Sequence, residues 1–231
     1  MTTFVRVAAV LLDMDGTLVD SHAAVERVWL RWAQVAGVEP GEVLSDVHGH
    51  SSGSTIRRVA PQLGAVELAE AEAYVLAGEC EDVGDVVLAP GAETLLDRLQ
   101  AAGVPWAVVT NAPRPLAAAR LGAVAVDPPV LVTIDDVPAG KPAPDGFELA
   151  AERLGVPIED CLVVEDSAPG VEAGRRAGAT VAGLRGVSAD LEVADLNEVA
   201  ALLAGVALNA GLAVPCAERR GVAGRASSVA P

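Results

Sequence analysis

The stretch that decides the fold is Val5-Arg6-Val7-Ala8-Ala9-Val10-Leu11-Leu12, which runs directly into Asp13-Met14-Asp15-Gly16-Thr17. A short run of valine, alanine and leucine reads as a strand buried on both faces, and it stops at two carboxylates one residue apart. The same arrangement recurs along the chain. Trp106 to Val109 precedes Thr110-Asn111, Cys161 to Val164 precedes Glu165-Asp166, Thr180 to Leu184 forms another apolar run, and Val130 to Thr133 a weaker one. Helical stretches fall between them: Ala92 to Ala102, Pro115 to Leu121, Phe147 to Leu154 and Gly170 to Ala177. Each is followed by a glycine, at Gly103, Gly122, Gly155 and Gly178, as helix C-termini often are. Doubly buried strands alternating with helices predict an α/β fold: a doubly wound, Rossmann-like parallel sheet.

One segment interrupts the alternation. From about Asp20 to Ala89 only helical patterns occur, over Ala23 to Ala36, Gly41 to Val47, Ser54 to Ala60 and Val66 to Cys80. This reads as a small α-helical cap of about four helices inserted after the first strand, with Pro90-Gly91 marking the return to the core. The expected division is an α/β core in residues 1–19 and 88–205, a cap in 20–87 and a tail in 206–231. The end of that tail, Pro215 to Pro231, is rich in Gly, Ala, Ser and Arg and is expected to be loose. The joints of the cap are expected near Thr17 to Ser21 and Val86 to Gly91. Trp29 and Trp32 stand three apart on one helix face and are read as cap packing.

Composition narrows the classes. Of 231 residues 52% are hydrophobic and 3% aromatic, so the core must be aliphatic. The formal net charge of −16 argues against nucleic acid or an anionic membrane surface as partner. An anionic substrate would need a local positive site made by a metal, a lysine or helix N-termini. Cys80, Cys161 and Cys216 are odd in number and show no CxxC spacing, which argues against a disulfide framework or a zinc site; Cys161 reads as a small core residue. The apolar start runs into Asp13 and is not read as a signal peptide. No apolar run is long enough to cross a bilayer, so the cytoplasm is the default location. Oligomeric state is not legible in any pattern.

In a doubly wound sheet, ligands bind at the carboxyl ends of the strands near the switch in strand order. Asp13 and Asp15, Thr110 and Asn111, Lys141, and Glu165 and Asp166 all follow strand ends. Any one of these alone could be a helix cap or a solvated loop residue. Together they would converge on one spot. Clustered carboxylates repel unless a cation lies between them, and all-oxygen ligation suits Mg²⁺. Mg²⁺ and Lys141 would form the positive patch that the acidic surface lacks. Thr110 and backbone N–H groups can hold phosphate oxygens, and a carboxylate can be phosphorylated, which divides one displacement into two steps.

These residues also carry a family resemblance. Asp13-Met14-Asp15-Gly16-Thr17-Leu18-Val19-Asp20-Ser21 resembles the first motif of the haloacid dehalogenase superfamily, and Thr110-Asn111 its second. Gly140-Lys141-Pro142-Ala143-Pro144 resembles the third motif and Val164-Glu165-Asp166-Ser167 the fourth. Gly170-Val171-Glu172-Ala173-Gly174 fits the subgroup with a helical cap after the first strand. The resemblance runs from about Val5 to Leu203. It implies Asp13 as nucleophile and Mg²⁺ ligand. Asp15 would be the acid and then the base, with its carbonyl on Mg²⁺. Gly16, Thr110 and Asn111 would lie at the phosphate, and Lys141 would neutralise charge. Asp166 would be a direct Mg²⁺ ligand, with Glu165 acting mainly through a metal-bound water.

An aspartate two residues past the nucleophile suits phosphoryl transfer, and dehalogenating members lack it. Within the subgroup the chain looks like the sugar-phosphate and polyol-phosphate phosphatases, acting on a small phosphorylated metabolite. Trp29-Leu30-Arg31-Trp32-Ala33 lies in a first cap helix typical of that branch. His48-Gly49-His50, ahead of Arg57 and Arg58, is the expected substrate-contacting loop of the cap, where relatives often have a basic residue in place of His50. Two rival readings are a β-phosphoglucomutase-like phosphomutase, which shares these motifs, and a phosphate-binding regulator without catalysis. The regulator would be expected to lack Asp13, Asp15 or Lys141.

Overall fold

The computed structural model describes residues 3–45, 47, 51–204 and 212–216. The chain begins with β1 (Thr3–Val7), β2 (Ala9–Leu12) and β3 (Val19–Asp20). Four helices follow: α1 (His22–Ala36), α2 (Pro40–Leu44), α3 (Ser52–Val59) and α4 (Ala65–Glu81). Then come β4 (Val87–Leu88), α5 (Ala92–Ala102), β5 (Trp106–Val109), α6 (Arg114–Ala123), β6 (Leu131–Val132), α7 (Asp145–Leu154), β7 (Cys161–Glu165) and α8 (Ala168–Ala177). β8 (Thr180–Gly183), β9 (Leu191–Glu192), α9 (Leu196–Ala204) and β10 (Leu212–Cys216) complete it.

Six strands form one sheet in the order β6-β5-β2-β7-β8-β9, parallel throughout. The chain builds leftward from β2 to β5 and β6, then crosses β2 to build rightward, so the switch in order falls at β2. Side chains of a strand alternate between faces, and both faces here are covered. Val10 and Leu12 of β2 join Val108, Leu162 and Val164 under Leu95 and Leu99 of α5 and Val199 of α9. Ala9 and Leu11 join Ala107, Val109, Val163 and Val181 under Phe147 of α7 and Val171 of α8. This two-sided burial is why the strands read as unbroken apolar runs.

The first apolar run is one strand by pattern but two in the structure. The chain steps at Ala8, whose N–H bonds to the carbonyl of Asp160 at 2.7 Å, and only Ala9–Leu12 enters the central sheet. β1 pairs antiparallel with β10 instead. β10 lies in the expected tail, and its last two residues, Pro215 and Cys216, fall in the stretch expected to be loose; the rest of residues 206–231 lies outside the described residues. Helix α9 was also unread, although Leu196, Val199, Ala200 and Leu203 recur at helical spacing and are buried against the sheet.

Helices α1 to α4 pack around an apolar cluster of their own, including Val25, Val28, Trp29, Trp32, Val43, Ile56 and Val75. The Trp29 and Trp32 rings meet edge to face, 5.6 Å apart and at 81°. The two crossings between this cluster and the sheet run side by side: β3 pairs antiparallel with β4, Val19 opposite Leu88 and Asp20 opposite Val87. No helix among the described residues is long and apolar enough to cross a membrane. Cys161 is a buried free thiol in the core, and Cys80 is half-buried and also free.

Leu11 is fully buried at the centre of β2. Leu11→Ala is expected to cost about 2–5 kcal/mol, read as a lower urea midpoint with an unchanged denaturant slope.

Candidate active site

Three strand ends meet at the switch point. Asp13 follows β2 and its N–H bonds to the carbonyl of Val164 in β7 at 3.0 Å, which sets the first acidic loop against the fourth. Thr110 follows β5. Glu165 is the last residue of β7 and Asp166 the next. Lys141 arrives from the loop after β6, and its ammonium ties the strand ends together. Its Nζ donates to Asp13 Oδ1 at 2.5 Å, to Glu165 Oε1 at 2.6 Å and to the Val109 carbonyl at 2.8 Å. It also lies 5.1 Å from the centre of the Phe147 ring.

Lys141 is aimed by Asn111. The Asn111 Oδ1 accepts from the Lys141 N–H at 2.9 Å, and its amide donates to the Lys141 carbonyl at 3.2 Å. Asn111, expected beside Thr110 at the phosphate, lines the same cavity as Thr110 and Lys141, and its side chain also clamps the lysine backbone. Thr110 Oγ1 accepts from the Ala112 N–H at 3.0 Å, which leaves the hydroxyl proton free to donate into the cleft that Thr110 lines.

Glu165 is completely buried and fully engaged. Oε1 takes Lys141, while Oε2 accepts from the N–H groups of Asp166 and Ser167, both at 3.1 Å, and from Ser167 Oγ at 2.9 Å. The carboxylate has room only because residue 170 lacks a side chain: a Cβ there would come within 1.9 Å of it. Ser167 in turn accepts the Gly170 N–H at 3.1 Å and caps α8. Gly16 plays a matching part in the first loop. Its φ of +83° suits glycine, and a Cβ would stand 2.0 Å from Asp166 Oδ2.

One oxygen each from Asp13, Glu165 and Asp166 lies within 4.8 Å of the others, a group that could hold a metal ion. Its electrostatics fit a cation. Burial, Glu165 and Asp166 push the Asp13 carboxyl well up, against the pull of Lys141. Burial and then Glu165 push Asp166 up to about 6. Burial works against the charge on Lys141, but Asp13 and Glu165 outweigh it and hold the ammonium protonated. One lysine among three carboxylates leaves negative charge for a hard, oxygen-preferring ion.

The Asp15 carboxylate is not part of this group but lines the same cavity as Asp13 and Asp166. Its Oδ1 accepts from Ser21 Oγ at 2.7 Å and its Oδ2 from Arg120 Nη1 at 2.5 Å. Asp13, Asp15, Thr110, Asn111, Lys141 and Asp166 line one side of a cavity of about 360 Å³. Val25, Trp29, Ser51, Ser52, Arg57, Glu72 and Glu79 of the helical cluster line the other. Trp29 therefore both packs the cluster and faces the cleft. His48 and His50, the expected substrate contacts, lie outside the described residues.

Sequence reasoning missed two arginines. Arg120 sits in the run Leu116-Ala117-Ala118-Ala119-Arg120-Leu121 and is 4% exposed. Its spacing of four from Leu116 was the available signal that it shares the buried face. Arg185, at a φ of +54°, donates to the Gly16 carbonyl at 3.0 Å and stands 3.7 Å from Asp166 Oδ2, joining the first and fourth loops.

The family model described as haloacid dehalogenase-like hydrolase matches residues 7–178. Hexitol phosphatase A of Escherichia coli (strain K12) is 38% identical over 195 residues, covering 84% of this chain and 89% of that protein. Validoxylamine A 7'-phosphate phosphatase of Streptomyces hygroscopicus subsp. limoneus is 33% identical over 201 residues, covering 82% and 94%. The crystal structure of CbbY from Rhodobacter sphaeroides in complex with phosphate superposes with a TM-score of 0.68 at 25% identity, covering 84% of this chain and 96% of that one.

With its carboxyl raised to about 6, Asp166 contributes stability below the ordinary carboxylate range near ~4 and loses it as pH rises through about 6. In EDTA, urea unfolding of the Asp166→Asn variant should therefore gain on the parent as pH rises from about 4 to about 7. A parent that gained on the variant instead would contradict this electrostatic picture.

Proposed function

Because the chain belongs to the haloacid dehalogenase-like hydrolases, we propose that it is a Mg²⁺-dependent phosphatase of a small sugar or polyol phosphate, working through an aspartyl phosphate on Asp13. The observation that carries this reading is the buried contact of Asp13 with Lys141 beside Asp166, with the second carboxylate, Asp15, two residues further along the same loop. Asp13 is held on one oxygen by the lysine, which orients the carboxylate as a nucleophile. Asp13, Asp166 and the Asp15 carbonyl would hold Mg²⁺, with Glu165 supporting from behind, and the ion would supply charge neutralisation for the phosphoryl oxygens.

The reaction then needs two displacements. An Asp13 oxygen bonds to phosphorus as the bond from phosphorus to the ester oxygen breaks, and that oxygen takes a proton from Asp15. Water next gives a proton to Asp15 while its oxygen bonds to phosphorus. The Asp13–phosphorus bond breaks, and inorganic phosphate leaves with both carboxyls restored. Lys141 would neutralise charge beside Asp13, and Thr110, which lines the same cavity, would donate to a phosphoryl oxygen.

The far wall of the cavity supports a hydroxyl-rich substrate. Ser51, Ser52, Arg57 and Glu72 offer donors and acceptors, and Val25 and Trp29 offer apolar contact for a carbon chain or ring. The similar proteins named hexitol phosphatase and validoxylamine A 7'-phosphate phosphatase point to the same class.

The test is phosphate release across a panel of hexitol, hexose, pentitol and glycerol phosphates with Mg²⁺. At least one should be turned over well above the rest, and EDTA should abolish release. Asp13→Asn should lower it by at least about 10³-fold, the usual scale for losing a nucleophile that acts with its partners. A flat, weak profile across the panel would place the substrate outside this class. Retained Mg²⁺-dependent release by Asp13→Asn would overturn the aspartyl-phosphate mechanism.

A further inference from the structure

Arg120 is a charged side chain with almost no water. It projects from α6 of the core, with 5% of its side chain exposed, between two carboxylates of different parentage. On one side Nη1 donates to Asp15 Oδ2 at 2.5 Å. On the other Nη2 lies 3.4 Å from Oε2 of Glu79, which belongs to α4 of the helical cluster. Glu79 is itself tied down, because its Oε1 accepts from Trp29 Nε1 at 3.1 Å. A chain of contacts therefore runs from α1 through α4 and α6 to Asp15. The opposite Asp15 oxygen is taken by Ser21, the residue just before α1.

A buried guanidinium needs partners, since an unpaired buried charge is far more costly than a paired one. Arg120 has both partners only while α4 lies against α6. The planar fork of the guanidinium fixes direction as well as charge, so the Asp15 carboxylate is held in one orientation rather than left to rotate.

We propose that Arg120 is the positioning residue for Asp15, and that Glu79 holds Arg120 from the cap, so that Asp15 is aligned for proton transfer only when α4 is seated on α6. Arg120 does not reach the reacting phosphorus. It acts by setting where Asp15 points. This rests on the phosphatase reading above, in which Asp15 gives a proton to the leaving oxygen and later takes one from water.

The leaving group separates this role from a merely structural one. A sugar or polyol alkoxide needs the proton; p-nitrophenolate does not. In Arg120→Ala the first displacement on p-nitrophenyl phosphate should proceed at close to the parent rate. The water step, which still needs Asp15, should slow. Stopped-flow mixing should thus show a burst of about one p-nitrophenolate per active site, followed by turnover slowed by ~10²-fold, the lower end of what a displaced acid–base group costs. On the best sugar or polyol phosphate the same variant should lose ~10²-fold or more in kcat with KM changed by less than about threefold, and show no burst of alcohol.

Arg120→Lys should recover part of the loss, and Glu79→Gln should show a milder form of the same pattern. If Arg120→Ala does not fold by circular dichroism, these two variants carry the comparison. The proposal is overturned if kcat on both substrates stays within about threefold of the parent, if burst rate and steady state fall together, or if the lysine variant is no better than the alanine one. A parent enzyme that releases no phosphate from any ester would instead sink the phosphatase reading itself.

Discussion

The contact on which the rest of the site depends is that of Lys141 with Asp13 and Glu165. One ammonium touches the first loop and the ends of β5 and β7, through Asp13, the Val109 carbonyl and Glu165. Removing it would leave buried carboxylates facing one another, the costly half of a broken ion pair. Much else in the neighbourhood serves this contact. Asn111 holds the lysine backbone from both sides, Gly170 leaves space for the Glu165 carboxylate, and the N–H groups at the start of α8 saturate its second oxygen. The parallel sheet makes this geometry available, because adjacent strands deliver their loops to the same edge.

The charge balance at that edge has a purpose. A protein with a formal charge of −16 would repel a phosphate ester at long range. Three carboxylates around one lysine make a group that could hold a metal ion. A divalent ion held there would reverse the sign of the local field. Acidic surface and anionic substrate are thereby compatible.

The fold was largely legible because the strands are buried on both faces and so appear as short valine-rich runs whose polar endings mark the sheet edge. The acids and the lysine of the site were legible for the same reason. What was not legible depends on partners distant in the chain. The step at Ala8 follows from a bond to the Asp160 carbonyl, and β1 departs to pair with β10. Asn111 is expected beside Thr110 because the pair resembles the second motif; it lines the cavity, and no pattern in the sequence marks that its amide also holds Lys141, 30 residues on. Arg120 was hidden among alanines and leucines, since a lone arginine on a helix is usually solvated; only the approach of α4 and the acidic loop explains its burial.

The short β3–β4 ribbon bears on how such a protein can change over time. Val19 lies opposite Leu88, so the chain leaves the core and re-enters it at neighbouring points. Closing residues 21–86 costs about 2–3 kcal/mol more than closing a four-residue turn, since closure entropy grows by about 0.6 kcal/mol per doubling of length. The helical cluster has its own apolar centre, while Ala24 of α1 packs into the core beside the sheet. A different insert at the same two anchor points would have to replace the Ser21 and Glu79 contacts that reach Asp15 directly and through Arg120. The strand-end acids and the inserted helices thus stand on separate parts of the chain, joined by one buried arginine between Asp15 and Glu79.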